Sequence, residues 1–173
     1  MGLCQENCYS SNSANTCFLN DAYVGEIKEN TIMIIEDEEL NPNGRIPISE
    51  IKGWYNKNTF VEGLQISYGG KTNGPHTSVE ADHPNKGNSS LLLQYGEYIT
   101  HITGKILINQ IYEITFHTNK DNHCQIGNGK QGTSFELKAP GKCVSRIKFG
   151  YIKNEGISYL SVKFIDPRKL HSF

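Results

Sequence analysis

The sequence is short of the features that mark an exported or membrane-spanning chain. Residues 1–20 hold no Lys or Arg and no apolar stretch of the 7–15 residues that a secretory signal needs, which predicts that the chain is not exported by that route. The longest apolar runs, such as residues 32–35 and 91–93, fall far below the ~20 residues of a membrane helix. Excess charge is missing too: 17 Lys and Arg stand against 18 Asp and Glu, so no overall field gathers nucleic acid or an anionic membrane. The marks of an enzyme are equally scarce. There is no Gly-x-Ser-x-Gly elbow, and Gly69-Gly70-Lys71-Thr72 lacks the earlier Gly and the following helix of a phosphate-binding loop. We expect neither catalysis nor a cofactor.

What is present begins at Met1-Gly2-Leu3-Cys4. Loss of Met1 exposes Gly2 for myristoylation, and Cys4 and Cys8 stand where a palmitoyl thioester would follow, although Glu6 occupies a position where the motif prefers Ser or Thr. One myristoyl chain binds membranes only marginally, and no basic residue precedes Lys28, so the second anchor falls to these cysteines. The expected location is the cytosolic face of a membrane. Secretion is the alternative, in which Asn88-Ser89-Ser90 becomes a glycan acceptor. Cys4, Cys8 and Cys17 lack a fourth ligand nearby, so zinc is not expected. Cys124 and Cys143 fall at strand ends and read as reduced thiols without a redox role. His76, His83, His101, His117, His123 and His171 show no metal-ligand spacing and read as scattered surface residues.

Residues 1–20, poor in large apolar side chains, read as a mobile, acylated tail. Residues 21–52 read as a short β-rich extension: Val24 and Ile27 with residues 31–35 predict a strand pair, followed by an acidic run at 36–39 that reads as a solvated turn. Short β-rich segments follow at 60–68, 77–81, 90–95, 98–102, 111–118, 133–137, 144–151 and 158–165. Leu64, Ile66 and Tyr68 alternate with Gln65 and Ser67, and Leu160, Val162 and Phe164 alternate with Ser161 and Lys163. No stretch keeps a helical period. The fold class is therefore all-β, as a sandwich, barrel or prism, with residues 166–173 as a C-terminal tail.

Gly96-Glu97-Tyr98-Ile99-Thr100, then Ile114-Thr115-Phe116-His117-Thr118-Asn119-Lys120, then Gly132-Thr133-Ser134-Phe135, resemble successive motifs of the jacalin-related lectins. Gly53-Trp54 with residues 60–66 is similar to that family's opening strand, and the resemblance spans residues 53–165. It implies a β-prism of three four-stranded antiparallel Greek-key sheets and reversible carbohydrate binding without catalysis. It also implies a pocket joining an early Gly-rich loop to a late Gly-x-x-x-Asp loop, whose carboxylate accepts two sugar hydroxyls.

Here the late loop reads Gly156-Ile157-Ser158-Tyr159-Leu160, which sets Leu160 where the family has Asp, and residues 47–52 replace the early glycines. Gly53, Trp54, Gly156, Ile157, Ser158, Tyr159 and Leu160 are the candidate ligand-binding residues. The expectation is a membrane-tethered adaptor with a degenerate sugar pocket, whose apolar loop tip meets a protein partner. An active lectin with an atypical pocket is the alternative.

Overall fold

The computed structural model describes residues 8–11, 14–17, 21–27, 33–77, 86–152 and 154–171. Its strands are β1 (Cys8–Ser11), β2 (Ala14–Cys17), β3 (Asp21–Gly25), β4 (Met33–Glu36), β5 (Ile48–Asn56), β6 (Val61–Tyr68) and β7 (Lys71–Thr77). They continue as β8 (Lys86–Leu92), β9 (Ile99–Leu107), β10 (Gln110–Thr118), β11 (His123–Gly127), β12 (Thr133–Lys138), β13 (Cys143–Ile152) and β14 (Gly156–Ile165). A single 3-10 turn at Pro167–Lys169 is the only helical element among the described residues.

Three sheets follow from the pairing. One runs β12-β9-β10-β11 and another β8-β5-β6-β7, each a set of three sequential strands with the fourth returned beside the first, which is the Greek-key order. The third runs β4-β13-β14-β3, the same order closed by the two ends of the domain, so that its inner hairpin is C-terminal and its flanks are N-terminal. One continuous core fills the space between them, with Ile51, Leu64 and Tyr68 from one sheet, Ile102, Ile114 and Phe116 from another, and Phe149, Leu160 and Val162 from the third. This is the β-prism.

The N-terminal region departs from its expected organisation. β3 and β4 do not pair with each other but flank the β13-β14 hairpin, because alternation along a strand fixes which face is buried and leaves the partner open. Residues 21–52 are thus built into two of the sheets, and the boundary drawn at residue 53 falls inside β5. Within the region expected to be a mobile tail, β1 and β2 pair as a hairpin, and β2 lies parallel to β12 at Glu136 and Leu137. The first sheet therefore has six strands, and the hairpin covers main-chain groups that an edge strand leaves unpaired.

The acidic run is not wholly a solvated turn either. Asp37 is buried and accepts the Tyr68 hydroxyl at 2.8 Å, while that hydroxyl accepts the Ile147 N–H at 3.2 Å. Glu38 pairs with Arg146 at 3.0 Å, and Glu36 pairs with Lys148. Burial, then the charge and hydrogen bond of Asp37, hold the Tyr68 phenol well above its ordinary pKa. Cys124 and Cys143 are free, buried thiols, and burial pushes Cys143 up to about 12.

Candidate functional site

The residues expected to form the pocket lie on two different sheets, Gly53 and Trp54 on β5 and Gly156 to Leu160 on β14. Gly53 lies in the middle of β5 against the Ile126 side chain, which occupies the space a Cβ would need, and Trp54 pairs with Gly63 and Asn88 on the neighbouring strands. Gly156 instead opens β14 against the Phe60 ring and the Val61 carbonyl. Leu160 is not at a loop tip. It is four residues into β14, opposite Phe149 and Val24, and 0% exposed. The connecting turn ends at Gly156, so the chain has already entered the core by the position matched to the family's Asp. Ile157 and Ser158 are buried as well, and Ser158 Oγ has no hydrogen-bond partner among the described residues. Tyr159 alone of Gly156 to Leu160 shows a side chain on the outer face, half-buried with its ring 6.2 Å from that of Tyr23. The expected replacement loop at residues 47–52 is strand and strand approach, not pocket rim.

The segment that meets the β13-β14 turn is the end of β3. Gly25, at φ +83°, lies so close that a Cβ would fall 2.0 Å from the Ser158 carbonyl oxygen, and the Glu26 N–H donates to that oxygen at 3.1 Å. Gly is required there by both backbone conformation and space. The Glu26 carboxylate accepts a hydrogen bond from Asn109 Nδ2 at 3.0 Å. Asn109 belongs to the two-residue β9-β10 turn, in which Ile108 (φ 47°) and Asn109 (φ 60°) are both left-handed. That conformation suits Asn and costs a β-branched residue about 1–3 kcal/mol, yet Ile108 holds it while 84% exposed. A half-buried carboxylate is therefore fixed at one end of the prism, beside the turn after β13, with the exposed Ile27 next to it in sequence and the exposed Ile108 next to Asn109. Sequence reasoning missed Glu26 and Asn109; the available signal was Gly25, which ends a strand where an early loop has to begin.

The motifs that carried the resemblance have a structural task. Glu97, 1% exposed, accepts from the Gln94 N–H at 3.0 Å, the Thr118 hydroxyl at 2.7 Å and Asn122 Nδ2 at 2.8 Å. Asn119 completes the clasp by accepting the Tyr98 N–H at 2.9 Å and donating to the Gly96 carbonyl at 3.1 Å, and Lys120 reaches the Tyr95 carbonyl at 2.8 Å. Gly-Glu-Tyr and Thr-Asn-Lys are thus two halves of one lock between the β8-β9 connection and the β10-β11 turn. Burial alone would raise the Glu97 pKa. The hydrogen bonds from Gln94, Asn122 and Thr118 and the charge of Lys120 outweigh it and hold the carboxyl below its ordinary value.

Three histidines read as scattered are gathered by the strand register. His101, His117 and His123 are direct cross-strand neighbours on β9, β10 and β11. No set of three His, Cys, Asp or Glu among the described residues has metal-binding geometry. Gly2 and Cys4 lie outside the described residues, and Cys8 is the first residue of β1.

A jacalin-like lectin domain profile matches residues 36–148, more than half of the chain. Jacalin-related lectin 24 of Arabidopsis thaliana is 32% identical over 95 residues, which is 54% of this chain and 41% of that protein, so the chain matches less than half of its relative's length. Among solved structures, a prostate-specific WGA16 glycoprotein lectin superposes with a TM-score of 0.63 at 16% identity, covering 85% of this chain and 100% of that one. The lectin MPA, solved with T-antigen disaccharide, superposes with a TM-score of 0.61 at 24% identity, covering 76% and 98%. These likenesses establish the prism as the shared fold. Since the profile runs through both halves of the Glu97 lock and the sheets around it, the chain belongs to the jacalin-like lectin domain family.

Proposed function

We propose that the protein is a non-enzymatic carbohydrate-binding module whose ligand site is the prism end formed by Gly25, Glu26 and Ile27, the β9-β10 turn and the turn before Gly156. The observation that carries this reading is the Glu26 carboxylate, oriented by Asn109 at 3.0 Å, with the exposed Ile27 next to it in sequence and the exposed Ile108 next to Asn109. A saccharide presents neighbouring hydroxyls and an apolar ring face, and a carboxylate with Ile27 next to it in sequence and Ile108 next to its partner Asn109 complements both. The missing Asp at Leu160 loses its weight as an argument against sugar binding, because Leu160 belongs to the core and not to the rim.

The test is binding of neutral glycans to the purified protein, followed by Glu26→Gln. Hydrogen bonds to a charged acceptor contribute about 1.5–3 kcal/mol, so the variant is expected to bind roughly 10- to 100-fold more weakly with its melting temperature preserved. Unchanged affinity in Glu26→Gln removes this end of the prism as the site.

The second reading is a membrane-tethered adaptor on the cytosolic face, supported by Met1-Gly2-Leu3-Cys4. Its ligand is a protein. The two readings separate on the intact mass of protein from its own cell: myristate on Gly2 with palmitate on Cys4 or Cys8 supports the adaptor. A glycan on Asn88, which is exposed on the edge strand β8, supports export and the lectin.

A further inference from the structure

The outer face of the β12-β9-β10-β11 sheet is laid out in straight cross-strand rows. Lys138, His101, His117 and His123 form one row, each residue directly opposite the next on the adjoining strand. Glu136, Thr103, Thr115 and Gln125 form the neighbouring row, and Ser134, Lys105, Glu113 and Gly127 the one beyond. The rings of His101 and His117 are stacked in parallel with centroids 4.2 Å apart, and that of His123 follows at 6.3 Å. With strands about 4.8 Å apart, the four side chains mark a line of roughly 14 Å.

The hydrogen bonds fix the chemistry of this line. The Thr100 hydroxyl donates its one hydrogen to the His117 carbonyl, so at the Thr100–His101 contact of 2.9 Å the imidazole Nδ1–H is the donor. The neutral His101 ring therefore keeps its lone pair on Nε2, where the next proton binds. His117 Nε2 meets the Thr103 hydroxyl at 2.9 Å. The charged groups around the row are Lys138 and Glu136 on β12, Lys105 on β9, Glu113 on β10 and Asp121 in the turn before β11, while β1 and β2 contain no Lys, Arg, Asp, Glu or His. Desolvation first, then the charge of neighbouring cations, lowers the pKa of both His101 and His117, with Glu136 acting in the opposite sense. Lys138 at the end of the row pairs with Glu136 of the neighbouring row at 4.0 Å. Protonation of His101 and His117 adds two cations in line with Lys138, and stacked imidazolium rings repel unless an anion lies along them.

We propose that this row is an acid-activated binding site for a linear polyanionic saccharide carrying sulfate or carboxylate groups. A saccharide fits better than a lipid surface because the three rows present no large apolar side chain for insertion, and the exposed Ile27, Ile34, Leu92, Tyr95 and Ile108 are not among them. The site is separate from the end occupied by Glu26. His117 is eight residues along the chain from Asn109, roughly 25 Å of extended strand.

The experiment measures heparin binding to the full chain at fixed salt at pH 7.5 and pH 5.5, with inorganic sulfate and phosphatidylserine vesicles as the comparison probes. The proposal expects at least about a tenfold tighter Kd at pH 5.5, since about two anion contacts are gained at His101 and His117. It expects His101→Gln and His117→Gln to lose most of that gain, Lys138→Gln to weaken binding at both pH values, and His76→Gln, on β7, to change neither. NMR titration of the wild-type imidazoles provides a readout independent of variant folding: heparin should raise the pKa of His101 and His117. Equal affinity at the two pH values, a gain that survives His101→Gln and His117→Gln together, or imidazole titrations indifferent to heparin would each overturn it. Vesicles binding as tightly as heparin would assign the row to a membrane, and sulfate binding as tightly would reduce it to a single-anion site.

Discussion

Leu160→Asp is expected to leave the chain unfolded at 25 °C in water. Leu160 is 0% exposed and faces the common core opposite Phe149 and Val24, between the two central strands and β3 of the third sheet. A carboxyl buried there has its pKa raised by about 3–5 units, so keeping it in the core at neutral pH costs roughly 4 kcal/mol. The apolar packing of the lost Leu adds about 2–5 kcal/mol. Together these reach the ~5–15 kcal/mol that holds a domain folded. Placed on a loop rim, as the motif register implied, the same substitution would have cost little and added a sugar-binding carboxylate. Circular dichroism separates the two: loss of the β-sheet spectrum is the expected result, and a folded variant with new sugar affinity would return Leu160 to the rim.

The reason Leu160 was expected on a loop tip, while the buried face of its strand was read correctly, lies in what a pattern of residues encodes. The alternation of Leu160, Val162 and Phe164 with Ser161 and Lys163 correctly named the buried face of β14, since side-chain direction along a strand depends only on local sequence. The same alternation says nothing about where the preceding turn ends. That is set by Gly156 closing on Phe60 and Val61, a contact between residues almost a hundred positions apart. β7 falls between the expected segments at 60–68 and 77–81, because Lys71 to Thr77 carries Gly74-Pro75 and no apolar alternation, and the extended chain there is held by pairing with β6. The histidine row was illegible for a related reason. His101, His117 and His123 have no common spacing in sequence, and they meet only because the registers of two hairpins place them opposite one another. The lock around Glu97 was visible as a family motif, yet its task became clear only from its hydrogen bonds.

That lock sets the second large effect. Glu97→Ala removes an acceptor shared by the Gln94 N–H, the Thr118 hydroxyl and Asn122 Nδ2, leaving three donors at a buried position. Each hydrogen bond to a charged acceptor contributes about 1.5–3 kcal/mol, and water reaching the adjacent turn recovers part of the sum, so the net loss is roughly 3 kcal/mol. At about 2–4 °C per kcal/mol for a domain of this size, the melting temperature should fall by roughly 6–12 °C. Glu97→Gln keeps one oxygen acceptor and should lose less. The two variants also differ from the parent in acid. Because the folded Glu97 carboxyl titrates below its ordinary value, its stabilisation is complete above the unfolded glutamate range and is lost as pH falls through the folded value. Parent melting temperatures should therefore drop more steeply below pH 5 than those of Glu97→Gln, in which no proton is taken up at that position. Melting curves from pH 7 to pH 3 decide it: a parent and a Glu97→Gln variant with the same acid slope would show that the charge at Glu97 does not drive the lock, which would then rest on Asn119 and its contacts with Gly96 and Tyr98 alone.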